Sequence, residues 1–212
     1  SERSRGLGDV YKRQDHDKGL ITVSDIKLDF TSVSRIHLIA CGTAYYACLV
    51  AKYYFEEYAR VPVECDMASE YRYRSPVLDK NALCIFVSQS GETADTKAAL
   101  DYSKSRGIKT LSIVNVKNSS IARESDFCIY TKAGAEIGVA STKAFTSQLS
   151  VLLSMAIHLG TMNKTLSENQ NKEICHEIMK APTLLEEAIK RSYSLKETAQ
   201  SIILSLIHIS EP

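Results

Sequence analysis

Residues 82–96 read ALCIFVSQSGETADT and contain the pattern of a strand, a turn and the start of a helix. Residues 82–88 are apolar at nearly every position, which is typical of a strand buried on both faces of a parallel sheet. Gly91 permits a sharp turn. A helical pattern then runs from about residue 93 to 106, and Gly107 is a suitable residue to end it.

Polar side chains crowd this turn, since Ser88, Gln89, Ser90 and Thr93 surround Gly91. The first N–H groups of a helix have no partner within the helix, and the helix dipole there favours an anion. Three hydroxyls beside such a helix start predict a phosphate-binding turn, with Gln89 able to reach a sugar hydroxyl. The alternative is helix capping alone, with Ser90 as the N-cap and Thr93 as a hydroxyl at N3.

The alternation of strand and helix patterns extends outward in both directions. Further patterns follow one another along the chain: strands at 34–42, 61–66, 110–116 and 126–131, and helices at about 47–58 and 142–159. This alternation predicts an α/β fold with a five-stranded parallel sheet covered by helices on both faces. Residues 167–204 predict two further helices rich in Glu, Lys and Leu.

Ligands of such sheets bind beyond the carboxyl ends of the strands. That rule points to residues 41–44, 88–93 and 134–141. In the first segment Gly42 turns the chain, and Thr43 offers a hydroxyl either to a ligand or as a helix cap. Cys41 is expected to be a core thiol rather than a nucleophile, because no histidine follows it at a suggestive position.

The third segment precedes the long predicted helix, which Ser141 or Thr142 is expected to cap. Glu136 and Lys143 have the residue types of an acid/base pair. The alternative is that both residues are structural or solvated.

Composition excludes several classes of protein. The 212 residues carry a formal net charge of +1, so neither nucleic acid nor a membrane surface is an expected partner. No apolar run is long enough to cross a bilayer, and no signal peptide is recognisable.

The six cysteines show no C-x-x-C pairing and predict buried free thiols of a cytoplasmic protein. Neither a Walker A motif nor G-x-G-x-x-G follows a strand, which argues against a nucleotide fold.

Both ends of the chain look unlike the middle. SERSRGLGDVYKRQ and SLIHISEP resemble translated sequencing adapters, and a disordered basic arm is the alternative for the first. The expected organisation is therefore a non-native segment, a lead-in, a main domain, a helical tail and a second non-native segment, with bounds at 1–14, 15–33, 34–165, 166–203 and 204–212.

Five segments together resemble one known family: CGTAYYA, ASEYRYR, SQSGETADT, ESDF and EIGVASTKAFTSQL. They are similar to the isomerase domain of the glucosamine-6-phosphate synthases, the isomerising glutamine–fructose-6-phosphate aminotransferases. SQSGET alone is shared by many sugar isomerase (SIS) domains, whereas EIGVASTKAFT is more specific. The resemblance implies an SIS-type three-layer αβα domain whose helical tail leads to a second, absent SIS subdomain.

The resemblance also implies a site for fructose 6-phosphate or glucosamine 6-phosphate. The implied substrate-binding residues are Thr43, Ala44, Ser88, Gln89, Ser90, Thr93, Val139 and Ser141. Ala44 departs from the serine found in many relatives, which removes one hydroxyl contact. No cofactor and no metal is implied, and the full-length enzyme is expected to be a homodimer.

The family's glutaminase nucleophile and its Schiff-base lysine fall outside these 212 residues. The chain is therefore expected to bind substrate without turnover and to hold no catalytic residue, with Glu136 as the one carboxylate to test. Two rival functions remain open, a stand-alone SIS phosphosugar isomerase and a sugar-phosphate-sensing regulatory domain. No helix-turn-helix pattern precedes residue 34, which disfavours the second.

Overall fold

The computed structural model describes residues 14–15, 20–21, 23, 28–135, 141–192, 195, 196, 198 and 200. Most of both adapter-like ends therefore lies outside the described residues. The chain divides into two compact units, residues 1–175 and 176–212.

The main unit alternates strands and helices along its length. Its strands are β1 Gln14–Asp15, β2 Leu20–Ile21, β3 Arg35–Ala40, β4 Val63–Met67, β5 Ala82–Ser88, β6 Lys109–Val114 and β7 Phe127–Tyr130. The α-helices of the main unit are α1 Gly42–Tyr54, α2 Ala68–Tyr71, α3 Ala94–Ser105, α4 Ser120–Glu124 and α5 Lys143–Met162, and a further helix, α6 Glu168–Ser192, begins in this unit and extends beyond it. A 3₁₀ turn at Phe30–Ser32 precedes β3, and a π-helical turn at Phe55–Ala59 follows α1.

Strands β3 to β7 form one sheet in the order β4-β3-β5-β6-β7, and every neighbouring pair is parallel. The prediction of a five-stranded parallel sheet is thus confirmed. The chain leaves β3 to form β4 on one side and returns to form β5 on the other. The direction of winding therefore reverses between β3 and β5, and ligands of open α/β sheets bind in the crevice at such a point.

Two hydrophobic clusters, one on each face of the sheet, make the fold three-layered. One cluster joins the sheet to α1 and α5, and includes Leu38, Ile85 and Leu152. The other joins it to α2, α3 and α4, and includes Phe86 and Leu100. Every residue of β5 is buried, as the apolar run of that strand predicts.

The lead-in before β3 contributes to the core. Val23, Leu28 and Phe30 are buried in the cluster that contains α1 and α5. The backbone N–H of Ile21 donates to Oδ1 of Asn171 over 3.1 Å. Periodicity gave no indication of these contacts, because isolated apolar residues in an irregular segment have no period to detect.

The described part of the tail predicted at 167–204 is helical. One long helix, α6, continues through Pro182, and residues 196, 198 and 200 beyond it are also in helical conformation. Residues that favour helices lie on both sides of the proline, and the ion pairs Lys180–Glu177 and Lys190–Glu186 add support along one helix. Residues 193–194, 197, 199 and 201–204 of the predicted tail lie outside the described part.

Among the described residues, no helix has the length and apolar character needed to cross a membrane.

Candidate functional site

A cavity of about 340 Å³ lies where β3 and β5 end. Its lining comes from the segment after β3, the segment after β5 and the first part of α5: Cys41, Gly42, Thr43, Ala44, Val87, Ser88, Gln89, Ser90, Thr93, Ser141 and Gln148. Every substrate-binding residue expected from the sequence lies in this cavity, except Val139. Val139 and Glu136 lie outside the described residues, and their expected roles stay predictions.

The turn between β5 and α3, residues 88–93, holds its own shape through hydroxyl contacts. The buried Ser88 Oγ accepts a hydrogen bond from the Gly91 N–H at 3.0 Å and lies 3.0 Å from Thr93 Oγ1. Ser90 Oγ accepts from the Glu92 N–H at 3.2 Å. Because an accepting hydroxyl keeps its own proton, Ser90 has one O–H left to donate, and so has the Ser88–Thr93 pair.

Neighbouring elements anchor this turn from outside. The carbonyl of Gln89 accepts from the Asn115 N–H at 3.1 Å, and the carbonyl of Gly91 accepts from the Ile121 N–H at 3.0 Å. Glu92 Oε1 accepts from the Ser120 N–H at 2.8 Å. That hydrogen bond lowers the pKa of Glu92 below its usual value. The turn is therefore hydrogen-bonded to the loop after β6 and to α4, and these contacts fix the positions of its donors beside the cavity.

Three helices begin beside the cavity. The N-cap residues of α1, α3 and α5 are Cys41, Thr93 and Thr142, and none of these side chains makes a capping hydrogen bond. Ser90 is therefore not the N-cap of α3, and the hydroxyls of Ser88 and Ser90 instead form hydrogen bonds within the turn. The first turns of α1 and α3 leave backbone N–H groups available to an anion.

The segment after β3 lies across the cavity from that turn. Gly42 has a φ of +57°, a left-handed conformation that a residue with a side chain rarely adopts. Thr43 is exposed and lines the cavity, as expected for a ligand hydroxyl. Ala44 is buried and presents only a methyl group to the wall.

Cys41 is not simply a core thiol. It is half-buried, packs against one hydrophobic cluster and also lines the cavity. All six cysteines are free thiols, three of them buried and three half-buried. The expectation of free thiols is confirmed, whereas complete burial holds only for Cys48, Cys84 and Cys175.

The loop before α5 contributes Ser141, whose buried Oγ has no hydrogen-bond partner among the residues that the structure describes. Lys143 is the first residue of α5 and is absent from the described lining of the cavity. With Glu136 outside the described residues, the structure brings no acid/base pair together here.

Gln148 is a lining residue that periodicity missed. It lies in α5, is 2% exposed, and its Oε1 has no hydrogen-bond partner within the described part of the chain. A signal was present in the sequence, because Gln148 precedes Leu152 by one helical turn on a face that is otherwise apolar. A long polar side chain on such a face requires a partner when it is buried.

The described lining of the cavity contains no carboxylate, imidazole, ammonium or guanidinium group. An anion in this cavity would therefore be held by hydroxyls, backbone N–H groups and helix dipoles rather than by ion pairs.

One group of metal-ligand types occurs elsewhere on the sheet. Ligand atoms of His37, Glu64 and Asp66 lie within 4.8 Å of one another. Arg74 already donates to both carboxylates, at 3.0 Å to Glu64 and at 2.5 and 2.8 Å to Asp66. Arg35 also pairs with Glu64. Since two guanidinium groups already neutralise the cluster, we assign it no metal.

Comparison with known proteins identifies close relatives. The SIS domain family profile matches residues 29–158. The isomerising glutamine–fructose-6-phosphate aminotransferase of Brucella abortus is 51% identical over 176 residues, which are 83% of this chain and 29% of that protein. The protein of the same name from Bradyrhizobium diazoefficiens is 49% identical over 180 residues, or 85% of this chain and 30% of that one. The chain thus spans less than a third of these relatives.

A solved structure agrees with the sequence matches. The C-terminal domain of glucosamine-fructose-6-phosphate aminotransferase from Francisella tularensis superposes with a TM-score of 0.89 at 36% identity. The match covers 95% of this chain and 57% of that domain.

Proposed function

Since the chain belongs to the SIS domain family, we propose that its cavity binds fructose 6-phosphate, with the phosphate on the 88–93 turn. The observation that carries this proposal is the meeting of three helix starts without side-chain caps at one cavity. Helix N-termini attract anions through their free N–H groups and their dipoles. Hydroxyls with protons left to donate lie beside them.

The roles of the lining residues follow from their contacts. Ser88 is buried and already paired, so it shapes the turn, while Ser90 and Thr93 present donors to the phosphate. Thr43, Ser141 and the amide of Gln89 face the sugar. Ala44 contributes van der Waals contact only.

The whole protein would make D-glucosamine 6-phosphate and L-glutamate from L-glutamine and D-fructose 6-phosphate, the reaction that the names of its relatives indicate. Within that reaction this chain positions the sugar, and proton transfer between the first two sugar carbons is left to groups outside the described cavity lining. A homodimeric full-length enzyme is part of the proposal. So is a cytoplasmic location, which the free cysteines favour.

Calorimetry on the 212-residue chain tests the proposal. We expect fructose 6-phosphate to bind with micromolar to millimolar affinity. Ser90→Ala and Thr93→Val should each weaken it by about 1–3 kcal/mol, the range for a lost hydrogen bond to a charged group. Ser105→Ala, at the exposed far end of the same helix, is the matched control and should leave the affinity unchanged.

A chain that is folded by circular dichroism and yet binds no sugar phosphate would refute the proposal. So would equal affinities for the wild type and both turn variants. Glu136→Gln, tested in parallel for turnover, separates the stand-alone isomerase: activity in the wild type that this variant abolishes, with binding retained, would favour that rival.

A further inference from the structure

We infer that Gln148 is a specificity-determining residue of this site and that it accepts a hydrogen bond from a hydroxyl of the bound sugar. The inference rests on the proposed function, because it concerns the same cavity. It goes further by adding one side chain of α5 to the groups that recognise the sugar, as distinct from the phosphate.

The first step concerns burial. Gln148 is 2% exposed, yet its Oε1 has no partner among the described residues. Buried polar groups are nearly always hydrogen-bonded, and an unpaired one requires an explanation. Other buried polar residues of α5 are satisfied within the helix: the hydroxyls of Ser147, Ser150 and Ser154 each donate to the carbonyl four residues earlier.

The second step concerns position. Of the polar side chains buried in α5, Gln148 is the one that lines the cavity. The remaining buried residues of this helix, such as Leu152 and Met155, pack in the hydrophobic cluster. An amide at that position can pair with a molecule in the cavity.

The third step concerns chemistry. An amide oxygen is an acceptor and needs a donor. The oxygens of a phosphomonoester dianion are acceptors only, so the phosphate group of a sugar phosphate cannot satisfy Oε1. A sugar hydroxyl can donate to it. The 88–93 turn has the opposite character, since its hydroxyls and helix N–H groups are donors. The cavity therefore pairs donors with a phosphate and an acceptor with a hydroxyl, which matches a phosphorylated polyol.

Calorimetry with three probes separates these roles in the 212-residue chain: fructose 6-phosphate, inorganic phosphate, and butyl phosphate, which has a phosphate but no hydroxyl. Gln148→Met keeps the length and volume of the side chain and removes the acceptor. We expect it to weaken fructose 6-phosphate about 3- to 10-fold, the effect of one lost neutral hydrogen bond. The affinities for phosphate and butyl phosphate should stay within about twofold of the wild type.

Two controls accompany this variant. Ser90→Ala should weaken all three probes, because it acts on the phosphate. Ser147→Ala alters the neighbouring buried residue of α5, which does not belong to the described lining. It should weaken none of the probes.

The results distinguish the inference from the proposed function. If Gln148→Met leaves fructose 6-phosphate unaffected while Ser90→Ala weakens it, the role of Gln148 is refuted and the phosphate turn stands. Equal weakening of all three probes by Gln148→Met would also refute it, because the residue would then act through the turn. If the folded wild type binds none of the probes, the proposed function fails and the inference fails with it.

A measurement on the wild type covers the case in which the variant does not fold. The side-chain amide resonance of Gln148 in a ¹⁵N spectrum should move on addition of fructose 6-phosphate and stay in place with butyl phosphate. No movement with a saturating sugar phosphate would overturn the assignment.

Discussion

Gly91→Ala should lower the stability of the domain and change the shape of the 88–93 turn. Gly91 has a φ of +68°, in the left-handed region that side chains disfavour. A Cβ built at this position would lie 2.0 Å from Ser119 Oγ, 2.5 Å from Ser119 Cβ and 3.3 Å from Val114 Cγ1. Because Ser119 is buried at the start of α4, it has little space in which to move.

Two terms set the magnitude. The left-handed conformation costs an alanine about 1–2 kcal/mol, of which about 0.4–1 kcal/mol is recovered through the lower entropy of the unfolded chain. The clash adds about 1–3 kcal/mol, the usual cost of overpacking. The expected loss in the free energy of unfolding is therefore about 1–5 kcal/mol.

The chain offers a matched control for the conformational term. Gly107 has a φ of +73°, and a Cβ added there would have no neighbouring atom within 4 Å. Gly107→Ala should therefore lose only about 1 kcal/mol. Ser119→Gly removes both close atoms, so it should return most of the clash energy when it is combined with Gly91→Ala.

Urea unfolding followed by far-UV circular dichroism gives the free energies of unfolding of the wild type, Gly91→Ala, Gly107→Ala and the double variant with Ser119→Gly. Tyrosine fluorescence provides a second probe because the chain has no tryptophan. A Gly91→Ala variant no less stable than Gly107→Ala would refute the steric explanation. So would a double variant in which Ser119→Gly restores nothing.

Three further predictions concern the sheet and its covering helices. Burial lowers the pKa of His37 more than Glu64 and Asp66 raise it, so the folded chain keeps His37 neutral where the unfolded chain takes up a proton. The contribution of His37 to the free energy of unfolding should be fully present above about pH 6.5 and should fall at lower pH by at most about 1.4 kcal/mol per pH unit. His37→Gln should make the decline in stability between pH 7 and 5.5 shallower, and an unchanged slope would contradict this. Arg74→Ala should cost about 2 kcal/mol in urea unfolding, because Asp66 is buried and loses its two hydrogen bonds, and Arg74→Lys should recover less than half of the loss; full recovery would show that charge alone matters. Tyr71→Phe should cost about 0.5–1.5 kcal/mol, because the buried hydroxyl contacts a serine and a cysteine of neighbouring elements; no loss would mean that these contacts contribute nothing net.

The architecture could be predicted because strong local signals agree. The apolar run at 82–88 gives a strand with identical bounds, and the helix predicted at 93–106 is observed as Ala94–Ser105. The order of the strands had no comparable signal. The side of β3 on which β4 pairs depends on how α1 packs on the sheet, and no single residue of the sequence indicates that packing. The short helices α2 and α4 were missed because four or five residues cover little more than one helical period.

The candidate site likewise contains residues that could be predicted from the sequence and residues that could not. Turn residues carry chemistry that is visible in sequence, and Thr43, Ser88, Gln89, Ser90, Thr93 and Ser141 all lie in one cavity. Gln148 did not stand out, because on a helix the residues that face a cavity and those that face the core share one stripe. Only the position of the cavity shows that this stripe changes from packing to binding within one turn of α5. Cys41 was misread for a related reason, since one side chain contacts both the core and the cavity.

The uncharged lining limits what this cavity can do by itself. Moving a proton between two sugar carbons requires a group that gains and loses protons near neutral pH, such as a carboxylate or an imidazole. The described lining contains hydroxyls, side-chain amides and a thiol, which can orient a phosphorylated sugar. If dipoles and hydroxyls hold the phosphate as proposed, its binding should depend only weakly on ionic strength, in contrast to a site built from lysines or arginines. On the proposed function, binding and acid/base chemistry would be separate contributions: the cavity would fix the sugar, and the titrating groups would come from residues outside the described lining.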